Sequence, residues 1–237
     1  MKTAATEKRY WKVVRDGRSC HGGTHDWSLP TPDGPGGWHV LPPDTTPRLC
    51  VTGYHVTELP ACWYERGCTV YLVEIRGVTT DPDWDDPHDP TKIAVAECRL
   101  IREATAEELV AAGIYLHGQH ECRRPGKSLA LGNSTVTALG NSTVTAWENS
   151  TVTARDNSTV TAWNNSTVAA WDNSTVAAWN NSTVAAWNNS TVVNRKGPTA
   201  KLEGDAVAVE WTSGRAEFRR AAAPAAADAA TQGGVEV

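Results

Sequence analysis

Three groups of residues have types and spacings suited to chemistry. The first is CHGGTH, residues 20–25, taken with Cys50 and His55. Thiolate and imidazole are both zinc ligands, which makes Cys20, His25, Cys50 and His55 a candidate metal set. The usual close C-x₂₋₄-C pair is missing, so buried thiols and turn glycines are the simpler account. The second is the run from Asp81 to Asp89, which holds five aspartates. Such oxygen density suits Ca²⁺, but the run has neither the hinge glycine nor the terminal glutamate of a calcium loop; a solvated loop is expected. The third is a series of Thr-x-Thr pairs: Thr135/Thr137, Thr143/Thr145, Thr151/Thr153 and Thr159/Thr161.

The elements that carry these threonines follow from a repeat. From Asn133 the chain runs through eight octapeptides, NSTVTALG to NSTVVNRK, with almost no change at Asn, Ser, Thr and Val. A short fixed period marks a repeat architecture. In an extended STVTA segment successive side chains point to opposite faces. Ser134, Val136 and Ala138 then line a narrow interior, and Thr135 and Thr137 face out. The remaining residues, such as Trp147, Glu148 and Asn149, make a corner, because Asn and Asp tolerate left-handed backbone. A period of eight does not match the helical repeat, and these residue types are poor helix formers. One octapeptide cannot close a coil but two can, so residues 133–199 are expected to form a β-solenoid of about four coils. With rungs ~4.8 Å apart it would be roughly 19 Å long. Thr, Asn and Val would fall into ladders, and Trp163, Trp171, Trp179 and Trp187 would stack along the two edges.

The region before the array, 8–122, is expected to be a small α+β domain. TVYLVEIRGV (69–78) predicts a strand, and TKIAVAECRLI (91–101) predicts a strand with helix as the alternative. TAEELVAAGIYL (105–116) opens with Thr105 and has Glu108 three positions on, the pattern of a capped helix start. Pro- and Gly-dense segments at 28–38, 41–47 and 81–90 predict loops. Residues 123–132 are expected as a linker, and 200–218 as a capping strand or rung. Residues 219–237 are expected to be a disordered tail, rich in Ala and poor in large apolar side chains.

Composition excludes several classes. The net charge is −5, against any general affinity for nucleic acid or anionic membranes. No apolar run approaches a membrane span, and the charged N-terminus has no apolar segment after it, so the expected location is the cytoplasm or a phage particle. In that setting the six cysteines are expected to be reduced thiols. The Asn-Ser-Thr triplets are then repeat corners, not glycosylation sites. The residues imply no cofactor.

AWENSTVT (Ala146–Thr153) follows an Ala-x-x-x-Ser-Thr-x-Thr pattern, and in this the array resembles the octapeptide half-repeats of bacterial ice-nucleation proteins. The resemblance implies a β-solenoid whose threonine ladders order water. The array departs from that family in having far fewer coils, and in carrying Ala169, Ala177 and Ala185 at the second Thr position. KVV-x-DG-x-SCHGG (Lys12–Gly23), C-x-x-GYH (Cys50–His55) and a YLVE-type strand make the N-terminal region similar to an uncharacterised domain of actinobacterial and phage proteins. GYHVTELPACWY followed by TVYLVEIRG also resembles ADP-ribosyltransferase-like domains, which implies His21, Tyr54 and Glu74 around a nicotinamide. The leading expectation is a non-catalytic binding protein whose solenoid surface engages a periodic target or another copy of itself. The alternative is an ADP-ribosyltransferase-like enzyme with the repeats as spacer or oligomeriser.

Overall fold

A computed structural model of the protein describes residues 8–21, 23–78, 92–195, 199–212 and 215–221. The acidic 81–89 run and most of the Ala-rich tail (222–237) lie outside the described residues. The chain divides into two units, Met1–Gly113 and Ile114–Val237.

In the first unit the apolar, β-branched runs become strands: β1 (Tyr10–Arg15), β2 (Arg18–Ser19), β3 (His39–Val40), β4 (Tyr54–Thr57), β5 (Thr69–Val78) and β6 (Lys92–Glu103). β5 lies where the strand was expected, and the ambiguous 91–101 segment is β6. β1 pairs with β5, β5 with β6, β6 with β4 and β4 with β1, so the ladder closes on itself. Val14, Val56, Tyr71, Cys98 and Leu100 are buried together within it.

The expected α+β character is corrected. Among the described residues this unit has one α-helix, α1 (Ala106–Ala111), and a 3₁₀ turn at Pro60–Cys62. The capping box is present: the Thr105 side chain accepts from the Glu108 N–H, and the Glu108 carboxylate accepts from the Thr105 N–H. The helix stops at Gly113, whose φ of 82° is left-handed, and Ile114 enters a strand of the second unit. Arg102 clamps the Glu108 carboxylate at 2.7 and 2.9 Å, and Arg9 reaches it at 3.1 Å. The Arg102 hydrogen bonds, with the Thr105 N–H, hold the Glu108 carboxyl down at about 2. A depressed carboxyl pKa contributes stability above its unfolded value, and this is lost as pH falls toward the folded value. Glu108→Gln is therefore expected to cost about 1 kcal/mol at neutral pH. Urea unfolding should show the wild-type advantage shrinking from about pH 4.5 down to about 2; a constant gap over that range would rule the account out.

The second unit is a β-solenoid. It begins with β7 (Ile114–Tyr115), β8 (Gln119–Cys122) and β9 (Lys127–Ala130). Each octapeptide then supplies one strand, from β10 (Thr135–Ala138) to β17 (Thr191–Arg195). β18 (Thr199–Leu202), β19 (Val207–Thr212) and β20 (Arg215–Arg220) complete it. Even-numbered strands from β8 to β18 stack as one six-stranded parallel sheet. Odd-numbered strands from β7 to β19 stack as the other, with β20 added antiparallel at its edge to make eight strands. Two octapeptides per turn were expected and are found, but there are about six turns over 114–210, not four. The extra turns lack the motif yet keep small side chains at most inward positions, with Ser128, Ala130, Ala200, Ala206 and Ala208 all buried; His120, Leu202 and Glu210 are larger and part-buried. The expected linker 123–132 contains β9, and the expected tail starts too early, because β20 runs to Arg220.

Strand alternation places the side chains as the repeat predicts. The valines from Val136 to Val192 are no more than 1% exposed, and the alanine two places after the valine in each of the first seven octapeptides, from Ala138 to Ala186, is fully buried. The corners from Asp156 to Asn189 turn on pairs of left-handed residues, and those at Gly132, Gly140, Glu148 and Gly204 on a single one. Asn164 and Asn165 have φ of 49° and 64°, and Asp172 and Asn173 have 53° and 63°. Two successive left-handed residues define a type I′ turn, which Asn, Asp and Gly adopt at least cost. Corner amides also join successive turns, Asn180 Nδ2 donating to Asn164 Oδ1 at 3.1 Å and Asn188 Nδ2 to Asp172 Oδ1 at 3.2 Å. At the C-terminal end Asn194 replaces an interior alanine and donates to Glu210 at 3.4 Å, and Arg219 of β20 pairs with Glu210 at 2.5 Å. This polar closure protects the end of the stack, where an apolar interior would otherwise meet water.

Candidate functional sites

The eight threonines divide equally between the solenoid faces. On the even sheet Thr135 pairs with Thr151 and Thr137 with Thr153; on the odd sheet Thr143 pairs with Thr159 and Thr145 with Thr161. Each face thus carries a grid spaced ~4.8 Å between rungs and ~6.6 Å along the strand. Thr151 and Thr159 are exposed and the others partly so. The first column continues through Thr167 and Thr183 on one face, and Thr175 and Thr191 on the other. The second column changes character. It passes to Ala169, Ala185 and Lys201 on the even face, and to Ala177, Val193, Val209 and Phe218 on the odd face.

The corners carry aromatic ladders. Trp147, Trp163 and Trp179 stack along one edge with centroids 5.4 and 4.5 Å apart, and Trp171 stacks on Trp187 at 4.1 Å along the other. Charged ends close both stacks. The Arg195 guanidinium lies 6.0 Å from the Trp179 ring, and Trp187 Nε1 donates to Glu203 at 2.7 Å. Inside, Ser166, Ser174 and Ser182 donate to the carbonyls of Trp163, Trp171 and Trp179, which ties the core to the corners.

In the first unit the Lys12–Gly23 and Cys50–His55 segments meet at one cavity of ≈ 350 Å³. Cys20, His21, Cys50 and His55 line it. His25 does not join them. It packs among Trp27, His39 and Tyr54, and its Nε2 lies 2.9 Å from His39 Nδ1. His39 Nε2 accepts the Ser28 N–H at 3.0 Å, so His39 Nδ1 carries the proton and donates to His25. Burial pushes the His39 pKa down, in keeping with that neutral ring. His55 Nε2 accepts the Cys50 N–H at 2.8 Å, which occupies its lone pair. The set Cys20, His25, Cys50 and His55 is not assembled, and among the described residues no three His, Cys, Asp or Glu are placed to hold a metal.

Nor does the structure bring His21, Tyr54 and Glu74 together. His21 lies on the cavity, with Nε2 2.9 Å from the Trp63 carbonyl and Nδ1 3.4 Å from Glu65. The Tyr54 hydroxyl donates to the Val40 carbonyl at 3.3 Å. Glu74 pairs with Arg99 at 2.6 Å, and both Arg99 and Arg76 lie over the Trp38 ring, at 4.9 and 3.8 Å. Neither Tyr54 nor Glu74 lines the cavity.

Lys12, Trp63 and Lys92 line it and were not singled out in the sequence. Lys12 sits in β1, where it is 9% exposed. Its Nζ donates to the His55 carbonyl at 2.9 Å and lies 4.8 Å from the Trp27 ring. Burial, with Lys92 nearby, lowers its pKa to about 8. Lys92 lies over the Trp63 ring at 4.5 Å. The legible signal was a lone lysine inside YWKVV, a run apolar on both sides of it. No family model, curated protein or solved structure matches this chain.

Proposed function

We propose that this protein is a non-catalytic binding protein whose solenoid presents a periodic threonine surface to a target that is itself regular. The supporting observation is the register: identical residues pair across successive turns, so hydroxyls, methyls and indoles form straight ladders. A threonine grid offers a donor, an acceptor and a methyl at each point, on a sheet too well paired to rearrange. Ordered water at an ice surface is the target tested first. Its setting, in the cytoplasm or on a phage particle, belongs to the same proposal. Among the described residues no helix is long and apolar enough to cross a membrane.

The complete Thr-x-Thr grid spans two rungs on each face, so the expected effect on ice is weak. Thermal hysteresis and partition into growing ice are the measurements. The wild type is expected to be retained in ice above a carrier protein, and Thr143→Leu/Thr159→Leu, which changes one face only, to lose about half of that retention. Equal behaviour of the two proteins removes the ice reading. A second copy is the other periodic target, and sedimentation of both proteins tests it: a face-to-face assembly would be altered by the same pair.

A further inference from the structure

The cavity in the first unit supports an inference independent of the solenoid. Lys12 is nearly buried, yet its one hydrogen-bond acceptor is a neutral carbonyl, and no described carboxylate lies within ion-pair distance. An ammonium has three donors, and buried charges are normally paired. Among the described residues the groups around it do not supply an anion. Cys20, which follows β2, and Cys98 on β6 are thiols that burial pushes up to about 12, so both are neutral. Lys92 on β6 adds a like charge, and His21, Cys50 and His55 are further polar residues of the lining. Trp11 and Trp63 line the cavity too, with the Lys92 ammonium 4.5 Å from the Trp63 ring. A site that joins a desolvated cation to indole surface suits one kind of molecule.

We propose that this cavity binds a small organic oxyanion, a carboxylate or phosphate carried on a flat apolar body, with the Lys12 ammonium as its counter-ion and Trp63 packing on the body. Lys12 contacts the oxyanion, Lys92 strengthens the field, and the indole excludes water from the pair. Charge-assisted hydrogen bonds in such a site are about twice as strong as neutral ones. The ligand charge is therefore decisive.

The test is calorimetric titration of the full-length protein with benzoate and with phenyl phosphate, against neutral benzyl alcohol of similar shape. At least one anion is expected to bind, with the alcohol ~10-fold or more weaker. The anion that binds identifies the headgroup class. Affinity should fall as pH rises through about 8, where Lys12 loses its proton. This readout needs no variant. Lys12→Met is expected to reduce affinity ~10-fold or more, and Lys92→Gln, on the cavity wall, to reduce it less. Three results overturn the proposal: neither anion binding at about 10 mM, the alcohol binding as tightly as the anions, or an affinity flat across that pH window.

Discussion

Val160→Asp is expected to unfold the solenoid, whereas the same change one residue earlier, Thr159→Asp, is expected to cost about 1 kcal/mol or less. Val160 is fully buried, and in the ladder it lies between Val144 and Val176. A carboxylate there has only methyl groups on both sides, and an unpaired buried charge costs about 4 kcal/mol or more. Thr159 is exposed on the same strand. Each turn of a solenoid touches only its neighbours, so one broken turn uncouples the two halves. Far-UV circular dichroism in urea should show loss of sheet for Val160→Asp at concentrations where Thr159→Asp is still folded. Coincident curves for the two variants would mean that the inside–outside assignment is wrong.

That pair of variants probes the part of the fold most legible in the sequence. Alternation in STVTA defines two faces once the strand is assumed, and Asn-Asn or Asp-Asn pairs mark the corners through their tolerance of left-handed backbone. The extent of the solenoid was less legible. The turn formed by β8 and β9 replaces Thr-Val-Thr-Ala with Gln-His-Glu-Cys and Lys-Ser-Leu-Ala. Backbone pairing needs no particular outward side chain, so these segments keep small inward residues only at Cys122, Ser128 and Ala130, while His120 stands at a valine position and stacks on Tyr115. Gly132-Asn133 and Gly204-Asp205 are the surviving signs, because glycine reaches the left-handed corner as Asn does. The helix was misjudged in extent for a related reason. Capping residues fix where α1 starts, but Gly113 ends it after six residues, before the apolar Ile114 and Tyr115.

The candidate sites divide the same way. The threonines were placed correctly because local alternation alone decides their exposure. The cavity depends on contacts between distant segments: Lys12 meets His55, and Cys20 lies near Cys68, as well as Trp63. Spacing suggested that the Cys and His residues would converge, and three of that set of four, Cys20, Cys50 and His55, do line one cavity. His25 is drawn off by the Trp27, His39 and Tyr54 rings, a packing preference that ligand spacing does not register.

Trp163→Ala is expected to destabilise the solenoid by about 2–3 kcal/mol, and Trp147→Ala by about half as much. Trp163 stacks on both sides, with interplanar angles of 11° and 8°, while Trp147 stacks on Trp163 alone. Both side chains are part-buried, so the loss falls below that of a core aromatic, and the stacked pairs lost set the order. Trp163→Leu should recover much of the burial but none of the ring pairing. Urea midpoints measure the stability, and the near-UV circular dichroism of coupled indoles reports the stack. Equal losses for the two alanine variants would show that the ladder contributes area alone. If the order holds, the corners do more than turn the chain. Stacked indoles, bonded corner amides and the serine-to-carbonyl bonds keep successive turns from twisting apart, and a threonine grid stays periodic only on a face that remains flat.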